Sequence, residues 1–150
     1  MPMRLRNTCA FQQVARRRNG STVTELAFVL PIVLVFIFGT IDFSMIMWAC
    51  GAVSEGARGG ARYAMVHGEM SASPVGPTAN NTTVSDKVKT YAPALDTSRL
   101  TITSTWGWGN NKENSPVTVT VSYSCPLSVG KLVGLSSVTV SGTTTARITH

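Results

Sequence analysis

The sequence predicts an α+β chain: a long N-terminal transmembrane α-helix, then a small antiparallel β-sheet domain with one short helix. Three observations predict it. Leu26 to Cys50 is an apolar run of about 25 residues, interrupted by Pro31, Gly39 and Asp42. At about 1.5 Å per residue it can cross a hydrocarbon core of ~30 Å. Val117, Val119, Val121, Tyr123 and Cys125 alternate with Thr118, Thr120, Ser122 and Ser124, the period of a strand with one apolar face. Between them Ser71 to Thr83, S-A-S-P-V-G-P-T-A-N-N-T-T, is a turn-rich linker that separates the two patterns.

Residues 1–20 form a basic leader. The net charge is +6, and Arg4, Arg6, Arg16, Arg17 and Arg18 supply +5 of it with no acid among them. The basicity is therefore local, and an arm abutting a membrane segment sets topology more often than it binds nucleic acid. Lys and Arg stay cytoplasmic, which predicts the N-terminus inside and the C-terminus outside. The apolar region exceeds the 7–15 residues of an ordinary secretory signal.

The helix is expected from Ser21 to His67, membrane-spanning over about residues 25–50. Past Cys50, Ala52, Gly56, Gly60 and Ala64 recur every four residues. Such a stripe lets another helix or a sheet approach closely. Glu55 and Arg58 are spaced to pair, and His67 followed by Gly68 reads as a helix stop. After the linker, 68–83, the exported α+β domain occupies 84–150. Val84 to Tyr91 is a short helix ended by Pro93, with Val84, Val88 and Tyr91 on one face.

Three strands follow. Leu100, Ile102 and Ser104 alternate with Thr101, Thr103 and Thr105, and Val117–Cys125 is the second strand. The third covers Ser137 to Ser141, with a kink at Gly142 and a resumption at Thr145. The stripe on the long helix and the short helix are the covers available for the apolar face.

Enzyme chemistry finds little support. There are two histidines, His67 and His150, and the seven acids are scattered. No nucleophile elbow, phosphate loop or metal-ligand spacing is present, and no cofactor is implied. Trp106 and Trp108 flank a glycine in a loop, where they either stack on a ligand or pack over the sheet edge. Cys50 and Cys125 are either two free thiols or, in an exported domain, a disulfide.

Arg16-Arg17-Arg18, Gly20 and then Glu25 opening the apolar run resemble the type III signal of type IV pilins and pseudopilins. The longer segment G-S-T-V-T-E-L-A-F-V-L-P-I-V-L-V-F-I-F-G-T-I-D-F is similar to the TadE-like motif of the tight-adherence (Flp-type) pilus system. Leu30-Pro31, Phe38-Gly39 and Asp42-Phe43 fit that motif, although the family more often has Glu where Asp42 stands. S-E-G-A-R-G-G-A-R-Y-A resembles the family's following segment with two extra residues.

The resemblance implies a non-enzymatic pseudopilin or minor pilin. A prepilin peptidase would cut between Gly20 and Ser21, and the new amine of Ser21 would pair with Glu25 of an adjacent subunit. Glu25, Pro31, Gly39 and Asp42 become assembly residues, and Asp42 meets either a neighbour's Arg58 or Arg62 or solvent at the outer interface. Implied partners are the peptidase, other pilins and the inner-membrane assembly machinery, besides the lipid bilayer. The expected location is the bacterial inner membrane, as a single pass, with or without later entry into a pilus. An uncleaved membrane-anchored periplasmic interaction domain is the alternative.

Overall fold

The computed structural model describes residues 10–78 and 81–149. Arg4, Arg6, Cys9 and His150 lie outside them. Two units divide between Thr40 and Ile41. The first is the N-terminal part of helix α1 (Ala10–Val66); the second contains the rest of α1 and everything after it. The α-helix thus begins eleven residues before Ser21, inside the basic leader.

The second unit holds helix α2 (Thr82–Tyr91) and strands β1 (Leu100–Trp106), β2 (Pro116–Pro126) and β3 (Ser137–Arg147). The strands form an antiparallel meander in the order β1-β2-β3. Its register pairs Thr103 with Thr120 and Thr120 with Thr143. The period of two therefore lines up across all three strands. Val117, Val119, Val121 and Cys125 are buried on one face, while Thr118 and Thr120 bond across to Thr145 and Thr143 on the other, at 2.9 and 3.1 Å.

Residues 42–66 of α1 lie along the buried face. Ala49, Val53, Ala57, Ala61 and Ala64 join the strand valines, Val84 and Val88 of α2, and Ile148 in one core. The lengths match: about 24 residues of helix and 11 of strand each extend roughly 36 Å. Ser104 is the polar member of the apolar face. It is buried because its hydroxyl accepts the Asn81 N–H at 3.1 Å, where α2 begins. The Asn81 side chain also caps that helix by accepting from Thr83 and Val84 N–H groups.

Three expectations change in detail. β3 is continuous through Gly142, which stays in register opposite Val121. A Cβ there would stand 3.2 Å from the Ser54 backbone, so this glycine allows strand and helix to touch, and no kink is needed. The stop of α1 is one residue early, and Gly68 does not make it. Thr149 N–H bonds Met65 O at 3.0 Å, and Val75 N–H and the Asn111 side chain bond His67 O at 2.8 and 3.2 Å, satisfying terminal carbonyls from distant segments. The segment after α1 is packed, with Val75 buried.

The Trp pair separates. Trp106 is buried in the core, whereas Trp108 is exposed, so the two do not form a common stacking platform. Cys50 and Cys125 are both free thiols, half-buried and buried respectively. Burial pushes the Cys125 thiol above its ordinary range, and the nearby Cys50 adds to the rise.

Candidate assembly site on the apolar helix

From Val23 to Trp48 nearly every large apolar side chain of α1 is exposed, including the unbroken run Ile32 to Phe38. Phe28 and Phe36 are 74% and 75% exposed. Seven consecutive residues cover every side of a helix with 3.6 residues per turn. A helix apolar all round needs a lipid or protein environment around it. Among the described residues, one helix near the N-terminus is therefore long and apolar enough to cross a membrane. Its hydroxyls suit that environment. Thr24 bonds back to Gly20 O at 2.8 Å and Thr40 to Ile37 O at 2.7 Å, so the helix satisfies them internally.

The glycines of α1 fall into two groups. A Cβ at Gly60 would stand 2.5 Å from Val88 Cγ2, and one at Gly56 would stand 3.3 Å from Val88 Cγ1. One at Gly59 would collide with the Tyr91 ring. These three are required by the chain's own fold, which seats α2 against α1. Ala64 is buried and Ala52 half-buried in the same region. The small-residue stripe is thus occupied from within the chain, by α2 and β2.

Gly20, Gly39 and Gly51 differ. A Cβ at any of them would meet nothing within 4 Å. Glycine in a helix interior costs about 1 kcal/mol relative to alanine. No intrachain packing offsets that cost at these three positions. Pro31 stands inside α1 without ending it and is exposed, although proline removes one helix hydrogen bond. Ser21, next to Gly20, is helical. Glu25 is exposed one turn beyond Gly20, and no described residue forms an ion pair with it. Gly20, Glu25, Pro31 and Gly39 therefore share one property: nothing in this chain's own packing requires them.

Asp42 is the opposite case. It is buried, and its carboxylate accepts the Ser128 N–H at 3.1 and 3.0 Å and the Val129 N–H at 2.9 Å. Within the chain its partners are the backbone of the β2–β3 loop, neither arginine nor solvent. Arg58 instead pairs with Glu55 at 3.2 Å, both exposed. Sequence reasoning missed Ser128 and Val129 because they lie 86 and 87 residues away and contribute mainly backbone groups.

Among the described residues, no group of acids, histidines and cysteines is placed to hold a metal ion. Comparison with curated proteins and with solved structures gives no match. The family model for "TadE-like protein" matches residues 20–62, from Gly20 to Arg62. Over that segment the chain is similar to the TadE-like family, which is pilus-associated and non-enzymatic.

Proposed function

We propose that this chain is a pseudopilin or minor pilin that acts in assembly or initiation of a Tad/Flp-type adhesive pilus. In this reading a prepilin peptidase removes residues 1–20 by hydrolysing the Gly20–Ser21 bond. The leader holds the N-terminus in the cytoplasm of an inner-membrane single pass, and the sheet domain lies outside. The freed amine of Ser21 pairs with Glu25 of an adjacent subunit. Two opposite charges that are each costly in an apolar helix bundle become tolerable together, and their pairing fixes the register of neighbouring helices. Other pilins and the inner-membrane assembly machinery are the partners.

The observation that carries this reading is the set Gly20, Glu25, Pro31 and Gly39 on an exposed apolar helix, none of it used by the chain's own packing. Residues costly to the isolated chain and idle within it are accounted for by something outside it. The matched segment, which starts at Gly20, supports the same reading. An uncleaved anchor requires neither Gly20 nor Glu25. The test is Glu25→Val, followed by detergent extraction and crosslinking to other pilins. The expected result is normal processing with loss of the crosslinked complexes. Complexes that persist in Glu25→Val would refute the pairing.

A further inference from the structure

We infer that the β2–β3 loop, residues 127–136, is a second membrane contact that rests on the bilayer surface beside Asp42. The inference deepens the membrane reading above and rests on it. Asp42 follows directly on the apolar run Leu26–Ile41, with Thr40 alone between Gly39 and Ile41 as a polar side chain. Its carboxylate holds the loop through Ser128 and Val129. The loop is therefore fixed next to the residue at which the apolar run meets its first acid since Glu25.

Lipid-facing backbone needs its polar groups satisfied without water. Five N–H groups of this loop are bonded within the fold. Leu127 N–H bonds Ser136 O at 3.1 Å, and Leu135 N–H bonds Gly130 O at 2.8 Å. Gly134 N–H bonds Lys131 O, and Ser128 and Val129 N–H go to Asp42. The loop's composition agrees. From Cys125 to Val138 there is one charged residue, Lys131, which is exposed and placed to meet lipid phosphates. Leu135 in the loop is 58% exposed.

The neighbouring part of the helix has the same character. Ile41, Phe43, Met45, Met47 and Trp48 are exposed around Asp42, and Trp is a residue favoured at the membrane–water interface. Further along α1 the exposed positions are Gly51, Glu55, Arg58, Arg62 and Val66. Val66, Met70, Tyr91 and Trp108 are exposed elsewhere on the domain, but the exposed apolar residues around Asp42 continue directly from the apolar run, and a bilayer is the occupant that this run brings to them.

The test uses the full chain in lipid vesicles with a fluorescent noncanonical amino acid at Phe28, Leu135 or Lys112. Lys112 lies in the β1–β2 loop at the opposite end of the strands. Lipids brominated deep or shallow in the acyl chain serve as quenchers. The expected pattern is strongest deep quenching at 28, strongest shallow quenching at 135 and none at 112. Quenching at 28 with an unquenched probe at 135 overturns the loop contact and leaves the span intact. Equal quenching at 135 and 112 also overturns it, because the domain would then lie on the membrane without a preferred end. An unquenched probe at 28 overturns the membrane reading itself.

Discussion

Gly60→Ala and Gly51→Ala make the same chemical change in the same helix and are predicted to differ in stability. Both gain about 1 kcal/mol of helix propensity. At Gly51 the new methyl meets nothing within 4 Å, so the gain stands alone. At Gly60 the methyl would lie 2.5 Å from Val88 Cγ2 and 3.3 Å from Val119 Cγ1. Both valines are fully buried and β-branched, so neither can turn aside easily. Overpacking of this kind costs about 1–3 kcal/mol. The propensity gain cancels between the two variants, so their difference isolates the packing cost. For a domain of this size 1 kcal/mol shifts the melting temperature by about 4–8 °C. Gly60→Ala should therefore melt at least about 4 °C below Gly51→Ala, read from the near-ultraviolet circular dichroism of the buried Trp106 in detergent. Equal stabilisation by both would refute the claim that Gly60 is held by contact with α2 and the sheet.

Three other outcomes follow from the same geometry. Asp42→Ala leaves the Ser128 and Val129 N–H groups without their acceptor, at a cost of about 1–3 kcal/mol, and hydrogen exchange at those two amides should accelerate selectively; unchanged exchange would contradict the clamp. The Ser98 hydroxyl and N–H, with Arg99 nearby, hold the Asp96 carboxyl below the usual carboxylate range. A depressed folded value means that its contribution is complete above the ordinary carboxylate pKa and disappears as pH falls through the folded value. A carboxyl NMR titration of Asp96 should have a midpoint below that of a model peptide, and one at or above it would contradict the hydrogen bonds. Burial pushes the Cys125 thiol up, so at neutral pH it should resist maleimide until the protein is denatured, as read by peptide mass; rapid labelling of native protein would show that β2 is not packed as described.

The sheet was legible because its pattern is local. Strict alternation from Val117 to Cys125 defines both faces of β2, and antiparallel partners with the same period follow from it. The small-residue stripe was legible as a close-approach surface, though which element filled it was not. Val88 and Val119 reach Gly60 only through the tertiary fold. Gly142 illustrates the ambiguity of glycine: a sequence does not separate a bend from a place where another backbone comes within contact distance. The partners of Asp42 were illegible for a different reason. Backbone N–H groups have no sequence signature, and any loop can present them. Gly20 and Glu25 are the reverse: conspicuous in the sequence and idle in the fold, as expected for residues read by another protein.

The central claim is that the chain's N-terminal helix is matured for assembly, and the most direct test is the intact mass of the membrane-extracted protein. It should be measured from cells with and without the prepilin peptidase. The account predicts a loss corresponding to residues 1–20 only when the peptidase is present, leaving Ser21 as the N-terminus. An unchanged mass in both strains would contradict it and leave the chain as an uncleaved membrane-anchored domain.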